Sequence, residues 1–385
     1  MRRWLLPEYV EDVLPVDARR TELLRRRLLD LFDTHGYQYV IPPLLEYLES
    51  LTTGVGHDLD LLTFKVVDQL SGRLMGIRSD ITPQAARIDA HLLNQQGVTR
   101  LCYAGSVLRT KPGGTVQTRQ PIQLGAELFG HAGMESDLEI QRLLVDALRL
   151  AGVNRPHLDF SHVAIFRSLV QRAGIAAELE SEMFAALQAK DASSLTELTV
   201  RLDAATRDAL RALPTLYGGV EVLHEAEQCL PQHAEIKLAL QDLKRAAQGL
   251  SKLDAVVSYD LAELRGYHYH SGMVFAAYAD GIAGALAQGG RYDQVGQAFG
   301  RARPATGFSM DVRALIGLLP KTQGRGGILA PYAEDAGLAG RIDELRTAGE
   351  VVVVDLPGHE MHRAELGCDR MLIKNEQGWE VVPAV

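Results

Sequence analysis

Two polar side chains interrupt an apolar stretch of the chain at Pro121–Phe129. Gln123 and Glu127 fall on the same face of this segment if it is a strand, because side chains in a strand alternate between its faces. A glycine between them lets another group approach the backbone closely. A buried amide or carboxylate must be paired, since leaving it unpaired costs several kcal/mol. Either Arg109 or Arg119 satisfies these groups, or they belong to a functional site, and the pattern leaves both interpretations open.

A second polar cluster lies in Gly76–Arg87, where a predicted strand ends and a helix begins. Asp80 and Thr82 are residue types that accept backbone N–H groups at the start of a helix, and Pro83 is typical of a first helical turn. Helix capping is therefore the simpler interpretation of Asp80 and Thr82 when this cluster is taken alone.

Four ring residues follow one another in the third cluster, Glu263–Phe275. They alternate tyrosine and histidine from Tyr267 to His270 and begin two residues after Arg265. The two histidines lack a cysteine or a third histidine at a usable spacing, so we do not expect a metal site. The alternative to a binding role is an amphipathic strand whose rings pack on the core.

The fourth cluster, Gln288–Gly300, is rich in glycine. Its spacing fits neither the P-loop nor the dinucleotide-binding fingerprint, so a phosphate cradle is not indicated. A tight turn in which Arg291 pairs with Asp293 explains the segment without a ligand. The chain also contains no Gly-x-Ser-x-Gly and no His-Glu-x-x-His motif, and we therefore do not expect an ordinary hydrolase.

The elements that must position these clusters follow from hydrophobic periodicity. From Val16 to Phe32 apolar residues recur every three or four positions, which predicts a helix that ends at His35-Gly36. A second helix is predicted at Ser136–Ala151. Short strands separate the helices, and their order indicates an antiparallel α+β fold rather than alternating βαβ units. The predicted strands are Tyr37–Ile41, Leu61–Val67, Arg73–Ile77, Thr99–Leu108, Pro121–Phe129, Ala255–Asp260 and Met273–Ala279.

The chain changes character within and after this region. Residues 163–255 are rich in Ala, Leu and Glu with a period of 3.6, which predicts a helical insertion. A helix from about Asp311 completes a first domain, residues 1–320. The glycine-rich segment Pro320–Gly327 is a predicted linker. It precedes a small α/β domain, residues 328–385.

The composition is that of a globular protein in a reducing compartment. The 385 residues include 40 basic and 49 acidic side chains, a formal net charge of −9, so we expect no general nucleic-acid-binding surface. No apolar run is long enough to span a bilayer, and no signal-peptide core follows the N-terminus. Cys102, Cys229 and Cys368 form neither a metal motif nor a disulfide framework. These features predict a cytoplasmic protein without a membrane segment.

Taken in order, the four clusters resemble the catalytic domain of class II histidyl-tRNA synthetase across residues 5–320. Together with the predicted elements, this resemblance implies a class II aminoacyl-tRNA synthetase-like antiparallel sheet flanked by helices, with a helical insertion and a small C-terminal α/β domain. The similar segments are Tyr37–Glu46 (motif 1), Arg78–Thr82 (the Arg-Pro-Glu-Gly-Thr element), Arg109–Glu127 (motif 2), Arg265–Phe275 (the histidine-specific signature), and Gly289–Asp293 with Gly307-Phe308 before motif 3.

The resemblance also implies a pocket for free histidine. Asp80, where the family has a glutamate, would hold the α-ammonium group together with Thr82 and Gln123. Glu127 would accept a hydrogen bond from the imidazole N–H, and Arg265 would bind the α-carboxylate. The implied histidine-binding residues are Asp80, Thr82, Arg109, Gln123, Glu127, Arg265, Tyr269 and His270, the last of which stands where the family has a tyrosine.

Two departures from the synthetase pattern argue against catalysis. Motif 2 normally carries a glutamate that reads adenine, and Lys111 occupies its position. Motif 3 normally ends Gly-x-Glu-Arg, with the arginine on the ATP phosphates; here Asp311, Arg313 and Ala314 replace these three residues. Arg313 is turned by about 100° from the required helix face, and Asp311 repels phosphate. Because adenylation depends on charge stabilisation at the phosphates, we do not expect this site to form an aminoacyl-adenylate.

A chain with this pattern resembles a family of synthetase paralogues, the regulatory subunits of the short-form ATP phosphoribosyltransferase, which starts histidine biosynthesis. Residues 328–385 replace the longer anticodon-binding domain and contain no basic patch for RNA. The resemblance implies a non-catalytic subunit without cofactor that joins the catalytic subunit in a hetero-oligomer. It also implies a homodimer through the motif 1 region and feedback inhibition by L-histidine. The alternative is a histidyl-tRNA synthetase with a degenerate motif 3.

Overall fold

The chain folds into two compact units, Met1–Leu319 and Pro320–Val385. The first unit contains the four polar clusters, and the second is a small α/β unit. The residues that the computed structural model of the chain describes are 4–53, 57–113, 118–320 and 326–384.

The described strands of the first unit are β1 (Gln38–Tyr39), β2 (Leu45–Tyr47), β3 (Phe64–Val67), β4 (Leu74–Ile77), β5 (Thr99–Ser106), β6 (Ile122–Phe129), β7 (His157–His162), β8 (Tyr217–Gly218), β9 (Val256–Asp260), β10 (Met273–Tyr278), β11 (Ala287–Arg291) and β12 (Ala305–Asp311). Nine of these strands form one sheet in the order β1-β5-β6-β12-β11-β10-β7-β9-β8. Neighbours in this sheet are antiparallel except for β1 with β5 and β7 with β9. The other three strands form a small antiparallel sheet in the order β2-β4-β3. The predicted antiparallel α+β fold is confirmed.

The described helices of the first unit are α1 (Pro15–Thr34), α2 (Leu48–Thr52), α3 (His57–Leu62), α4 (Thr82–Arg87), α5 (Met134–Leu150), α6 (Val163–Arg172), α7 (Ala177–Gln188), α8 (Ala192–Leu198), α9 (Ala204–Ala212), α10 (Glu221–Cys229), α11 (Ala234–Leu250) and α12 (Val312–Ile316). Helices α1 and α5 pack on the central strands. Leu24, Leu28 and Phe32, at helical spacing on α1, are fully buried, and the Phe32 ring meets Phe308 of β12 edge-on at 5.8 Å. Burial of each such side chain contributes about 1.5–3 kcal/mol.

Helices α6 to α11 form the helical insertion that the period of 3.6 predicts. The insertion adds the two-residue strand β8 to one edge of the large sheet. Asp191 and Asp203 begin α8 and α9 by accepting hydrogen bonds from backbone N–H groups of the first turn. The insertion belongs to the core of the first unit, because α11 buries Leu240, Leu243 and Leu250 in the same apolar cluster as the sheet.

Strands β7, β11 and β12 are the main elements that the sequence pattern misses. Gly289 and Gly290 lie in β11, in the segment interpreted as a tight turn. A Cβ atom on Gly290 would lie 2.6 Å from the carbonyl oxygen of Met273 on β10, so glycine permits the close strand pairing there. Glycine has no side chain to alternate between the faces, and hydropathy therefore carries no strand signal. The predicted Arg291–Asp293 ion pair is present, at 3.2 Å.

One further boundary differs from expectation. The segment predicted as one strand, Leu61–Val67, contains the end of α3 and only then β3. A short apolar run of this kind does not distinguish helix from strand. The helix expected from about Asp311 is the five-residue α12, whose first turn donates to the Asp311 side chain.

The second unit is a four-stranded sheet with one helix. Its elements are β13 (Gly327–Pro331), α13 (Ala336–Thr347), β14 (Val352–Asp355), β15 (Cys368–Asn375) and β16 (Gly378–Pro383). The strand order is β14-β13-β15-β16, with β13 parallel to both neighbours and β16 antiparallel to β15. Ile328, Ala330 and Leu372 from the sheet pack with Leu338 and Ile342 of α13.

The sequence predicts neither a membrane-spanning segment nor a disulfide framework. Within the described ranges, no helix combines the length and the apolar character needed to cross a bilayer. Cys102 is buried, Cys229 is exposed and Cys368 is half-buried, and all three are free thiols.

Candidate ligand-binding site

A cavity of about 230 Å³ lies over the central strands of the large sheet. A cavity of about 150 Å³ accepts benzene in an engineered protein, so the volume suits a ligand the size of an amino acid. Backbone and side chains of β6, β10, β11 and β12, the start of α4, and the loop between β9 and β10 line it. We call residues 261–272 the site loop. Six of the eight predicted residues line this cavity, namely Asp80, Thr82, Glu127, Arg265, Tyr269 and His270.

Glu127 is fully buried at the floor of the cavity. The hydroxyl of Tyr103 donates to its Oε1 at 2.9 Å, and the hydroxyl of Tyr292 donates to its Oε2. The antiparallel register places Gly307 of β12 directly opposite. A Cβ atom on Gly307 would overlap the Glu127 carboxylate, so glycine at this position provides the space for it.

Burial raises the pKa of Glu127 to about 8. The hydroxyls of Tyr292 and Tyr103 oppose this change by donating to the carboxylate, and the nearby charge of Asp80 adds to it. The carboxyl group therefore exchanges its proton close to neutral pH. A ligand that brings a cation or an N–H donor favours the ionised form.

Of the two interpretations left open for Gln123 and Glu127, pairing with Arg109 or Arg119 is wrong. Neither Arg109 nor Arg119 bonds to these two side chains; the Arg119 guanidinium donates to the Arg109 carbonyl instead, at 3.0 Å. Tyr292 is a site residue that sequence reasoning missed, although it follows directly after the glycine pair and Arg291 in the fourth cluster. No local sequence pattern could have identified it, because Tyr292 meets Glu127 only through the position at which β11 ends in the sheet.

Asp80 lies two residues before Thr82, the first residue of α4, and also lines the cavity. Its Oδ1 accepts from the Thr82 N–H at 2.8 Å, which begins α4, and from Gln123 Nε2 at 2.8 Å. The Oδ2 atom accepts no hydrogen bond from any described residue and remains available to a ligand. Gln123 also accepts from the Ile81 N–H at 2.8 Å, so this amide holds Asp80 in place. The Thr82 hydroxyl lies 2.9 Å from that of Tyr103.

The site loop contributes a neutral histidine and an unpaired tyrosine. His270 Nδ1 lies 3.1 Å from the Gly266 carbonyl, which requires a proton on Nδ1 and leaves Nε2 as an acceptor. Burial lowers the pKa of His270 to about 4, so the ring is neutral at pH 7. The Tyr269 hydroxyl is shielded from solvent and has no hydrogen-bond partner among the described residues. Unpaired buried hydroxyls are uncommon and indicate a place for a polar ligand.

Arg265 lies beside the cavity with its guanidinium 3.2 Å from the Glu263 carboxylate, and its side chain is 48% exposed. Gln123 and Arg109, the other two predicted residues, line an adjacent cavity of about 110 Å³. Arg109 Nε donates to the Ser79 carbonyl at 3.3 Å, and its two Nη atoms have no partner in the described part of the chain. The structure therefore separates Arg109 from the six residues of the larger cavity.

The adjacent cavity is poor in positive charge among the described residues. The Asp311 carboxylate accepts from the backbone N–H groups of Ile122 and Arg313, and burial raises its pKa. The Arg313 guanidinium instead donates to Glu11 at 2.6 Å. Ala314 lines the cavity, and Arg109 is the one cation lining it among the described residues. In the described ranges, no group of three or more His, Cys, Asp or Glu side chains is arranged to hold a metal ion.

The fold and the position of the cavity together define a protein of the class II histidyl-tRNA synthetase type. The family model for histidyl-tRNA synthetase matches residues 9–315. The family model for the ATP phosphoribosyltransferase subunit HisZ C-terminal domain matches residues 325–382.

Comparison with individual proteins shows which members of this class the chain resembles. The chain is 60% identical to the ATP phosphoribosyltransferase regulatory subunit of Methylobacillus flagellatus, covering 100% of this chain and 99% of the relative, and 57% identical to that of an Azoarcus species, covering 99% of each. A crystal structure of an ATP phosphoribosyltransferase regulatory subunit/histidyl-tRNA synthetase from Bacillus halodurans has a TM-score of 0.85 at 25% identity, covering 96% of this chain and 98% of that one. Histidyl-tRNA synthetase from a Nostoc species shares the fold, with a TM-score of 0.78 at 18% identity over 100% and 97% of the chains.

The chain belongs to the family of ATP phosphoribosyltransferase regulatory subunits. The resemblance found in the sequence is confirmed, and with it a regulatory rather than a catalytic role in histidine biosynthesis. The family's name implies a complex with a catalytic subunit of the same enzyme.

Proposed function

We propose that the large cavity binds free L-histidine and that its occupancy reports histidine concentration to the assembled ATP phosphoribosyltransferase. The observation that supports this most directly is the buried Glu127 carboxyl, which is surrounded by tyrosine hydroxyls and titrates near neutral pH. The imidazole N–H of histidine donates to this group. Aliphatic amino acids of similar size lack that donor and leave the carboxyl group without a ligand partner.

The two ends of the amino acid find partners of opposite charge. Asp80 Oδ2 accepts from the α-ammonium group, while Gln123 and the Thr82 N–H hold the Asp80 carboxylate in position. Arg265 binds the α-carboxylate as a planar, bidentate cation. Arg109 remains in the proposed site only as a nearby positive charge in the adjacent cavity, where its Nη atoms have no hydrogen-bond partner among the described residues. Tyr269 and His270 Nε2 supply the remaining polar contacts to the ring.

The assembly that we propose has two contacts. One joins this chain to the catalytic subunit, and the other joins two copies of this chain through the motif 1 region, Tyr37–Glu46. Exposed apolar side chains in and next to that region support the second contact, because Ile41 is 79% exposed and Leu44 and Tyr47 are also exposed. A cytoplasmic location is supported by the three free thiols.

Calorimetric titration of the purified chain with L-histidine tests the proposed ligand. We expect saturable binding of one histidine per chain and much weaker binding of L-histidinol, which lacks the carboxylate that Arg265 binds. Arg265→Ala should abolish this preference, because it removes the group that distinguishes the two ligands. Equal binding of histidine and leucine would contradict the proposed function.

A second assay separates this function from that of a synthetase with a degenerate motif 3. We expect no histidine-dependent ATP–pyrophosphate exchange by the chain, since Asp311 and Ala314 stand where the phosphate-binding geometry requires other groups. Robust exchange would favour the synthetase.

A further inference from the structure

The site loop is held by the helical insertion through one buried tyrosine. Tyr267 is 3% exposed, and its ring lies 5.3 Å from that of Phe166 on α6 and 5.6 Å from that of Phe184 on α7. Its hydroxyl donates to Glu180 on α7 at 2.8 Å. Two helices of the insertion therefore enclose the residue at the centre of the loop that lines the cavity.

Arg167 on α6 adds a polar link to the same loop. Its Nη2 donates to the backbone carbonyls of Tyr267 at 3.0 Å and of His270 at 2.9 Å. These two carbonyls flank Tyr269, so one guanidinium spans the turn from which Tyr269 and His270 extend. The guanidinium also lies 5.0 Å from the centre of the Tyr267 ring.

We propose that Arg167 is a positioning residue for the histidine site and that, through it, the helical insertion responds to occupancy of the cavity. The proposal rests on the proposed function, because the loop side chains must contact the ligand for occupancy to matter. A ligand shifts a conformational equilibrium only through contacts that differ between the two states. Arg265, Tyr269 and His270 provide such contacts, and the loop that carries them cannot move without disturbing the bonds of Arg167.

The packing around Tyr267 explains why the insertion follows the loop. Closely packed side chains transmit small displacements because the interior has few voids to absorb them. Tyr267 contacts α6 and α7 through rings and through Glu180, so displacement of the loop changes the packing of both helices. Ligand binding therefore changes how strongly the two helices are restrained, and hydrogen exchange measures this change as altered protection of their amides.

Hydrogen–deuterium exchange of the full chain, with and without saturating L-histidine, tests this response. In the wild-type chain we expect histidine to protect amides of β6, of the site loop, and of α6 and α7. In the wild-type chain one nitrogen, Arg167 Nη2, bonds to both carbonyls. In Arg167→Lys, the ammonium group sits on a shorter side chain that lacks the planar guanidinium beside the Tyr267 ring, so it does not hold both carbonyls in the same geometry. We expect protection of β6 to persist at saturating histidine, protection of α6 and α7 to be lost, and histidine affinity to fall about five- to tenfold, within the range typical of coupled sites.

Two further variants separate positioning from general damage to the insertion. Arg172→Lys changes another arginine of α6, which pairs on the surface with Glu235 at 2.9 Å, and should behave as the wild type does. Tyr267→Phe keeps the ring packing and removes only the bond to Glu180, so it should weaken protection of α7 more than that of α6.

The outcomes distinguish this inference from the function on which it rests. If histidine protects β6 and the site loop of the wild-type chain but leaves α6 and α7 unchanged, the insertion does not respond and the proposal is wrong. The same conclusion follows if Arg167→Lys and Arg172→Lys cannot be told apart. If calorimetry finds no histidine binding to the wild-type chain, the proposed function fails, and this inference fails with it.

Discussion

At the scale of single residues, the chemistry of the site centres on one carboxyl group. Glu127 is buried at the floor of the cavity, and burial raises its pKa to about 8. The hydroxyls of Tyr103 and Tyr292 keep it hydrogen-bonded in either protonation state, because a tyrosine hydroxyl both donates and accepts. The Glu127 carboxyl group therefore does not need a ligand cation as a partner, and an N–H donor from a ligand shifts it towards its ionised form.

Glu127→Gln preserves the size of this side chain and removes its charge. We expect histidine binding to weaken by about 1.5–3 kcal/mol, the range for a hydrogen bond to a charged group. In the wild-type chain, affinity should increase as pH rises from 6 towards 8, because the bound form requires loss of the Glu127 proton. Calorimetry at several pH values measures both effects. Unchanged affinity and pH dependence in Glu127→Gln, relative to the surface variant Glu178→Gln, would place the ligand elsewhere.

The same carboxyl group makes the stability of the fold depend on pH. The folded-state pKa of Glu127, about 8, lies above the ordinary glutamate pKa of 4.5, so between these pH values the folded chain binds more protons at Glu127 than the unfolded chain. The contribution of Glu127 to the free energy of unfolding therefore falls as pH rises through this window. Urea unfolding at pH 5.5 and 8.5 should show a larger loss of stability for the wild type than for Glu127→Gln. Equal losses would show that Glu127 titrates normally.

At the scale of elements, strand register decides which groups meet. The pairing of β6 with β12 places Gly307 opposite Glu127 and Ser309 opposite Gly125. Because the side-chain period of a strand is two, a slip of one residue would turn Glu127 away from the cavity and bring an apolar side chain into it. The glycines of β11 and β12 thus make room for the ligand and for the buried carboxylate.

Gly307→Ala tests that arrangement directly. The added Cβ overlaps the Glu127 carboxylate, so we expect a loss of stability of about 1–3 kcal/mol, the usual cost of overpacking, and a measurable loss of histidine binding. Gly340→Ala in α13 is the matched control, since its Cβ meets nothing within 4 Å and alanine favours a helix. Thermal unfolding compares the two. A neutral effect of Gly307→Ala would mean that β6 or β12 shifts freely.

At the scale of the whole molecule, the proposed function puts the histidine site on this chain and the reaction on the catalytic subunit. Family membership assigns regulation to this subunit, and the adjacent cavity lacks the cations that phosphate chemistry needs, with Arg109 alone among the described lining residues. Under that proposal, inhibition by histidine is a coupling free energy between two sites, typically about 1–3 kcal/mol.

The assembled complex provides the corresponding measurement. We expect Gln123→Ala and Glu127→Gln to keep activation of the catalytic subunit nearly intact while shifting inhibition to higher histidine concentrations. The reason is that these residues act on the ligand and not on contacts between subunits. The measurement is the reaction rate of the assembled complex as a function of histidine concentration, with wild-type and with variant subunits. If all forms are inhibited at the same concentration, this subunit activates only and the sensor lies on its partner.

Much of this protein follows from its sequence because the signals are local. Period-two alternation placed Gln123 and Glu127 on one face, and that face lies against the two cavities that the structure shows. The period of 3.6 predicted α1, α5 and the helical insertion, with boundaries within a few residues. The ordered motifs predicted the family, because several spaced clusters carry more information than any one of them.

Only the tertiary structure decided which polar groups pair. Glu127 bonds to Tyr103 on β5 and to Tyr292 just before the segment that leads to β12, and Gln123 bonds to Asp80. One interpretation of the sequence had suggested arginines of the same hairpin as their partners. Arg109 lies in the adjacent cavity, although the motif placed it with the others. These contacts join residues far apart in the chain, and their formation depends on strand order and register. The glycines of β11 have no hydropathy pattern from which that order could be predicted. Local periodicity therefore determined the elements and the faces, and the packing of distant strands determined the site.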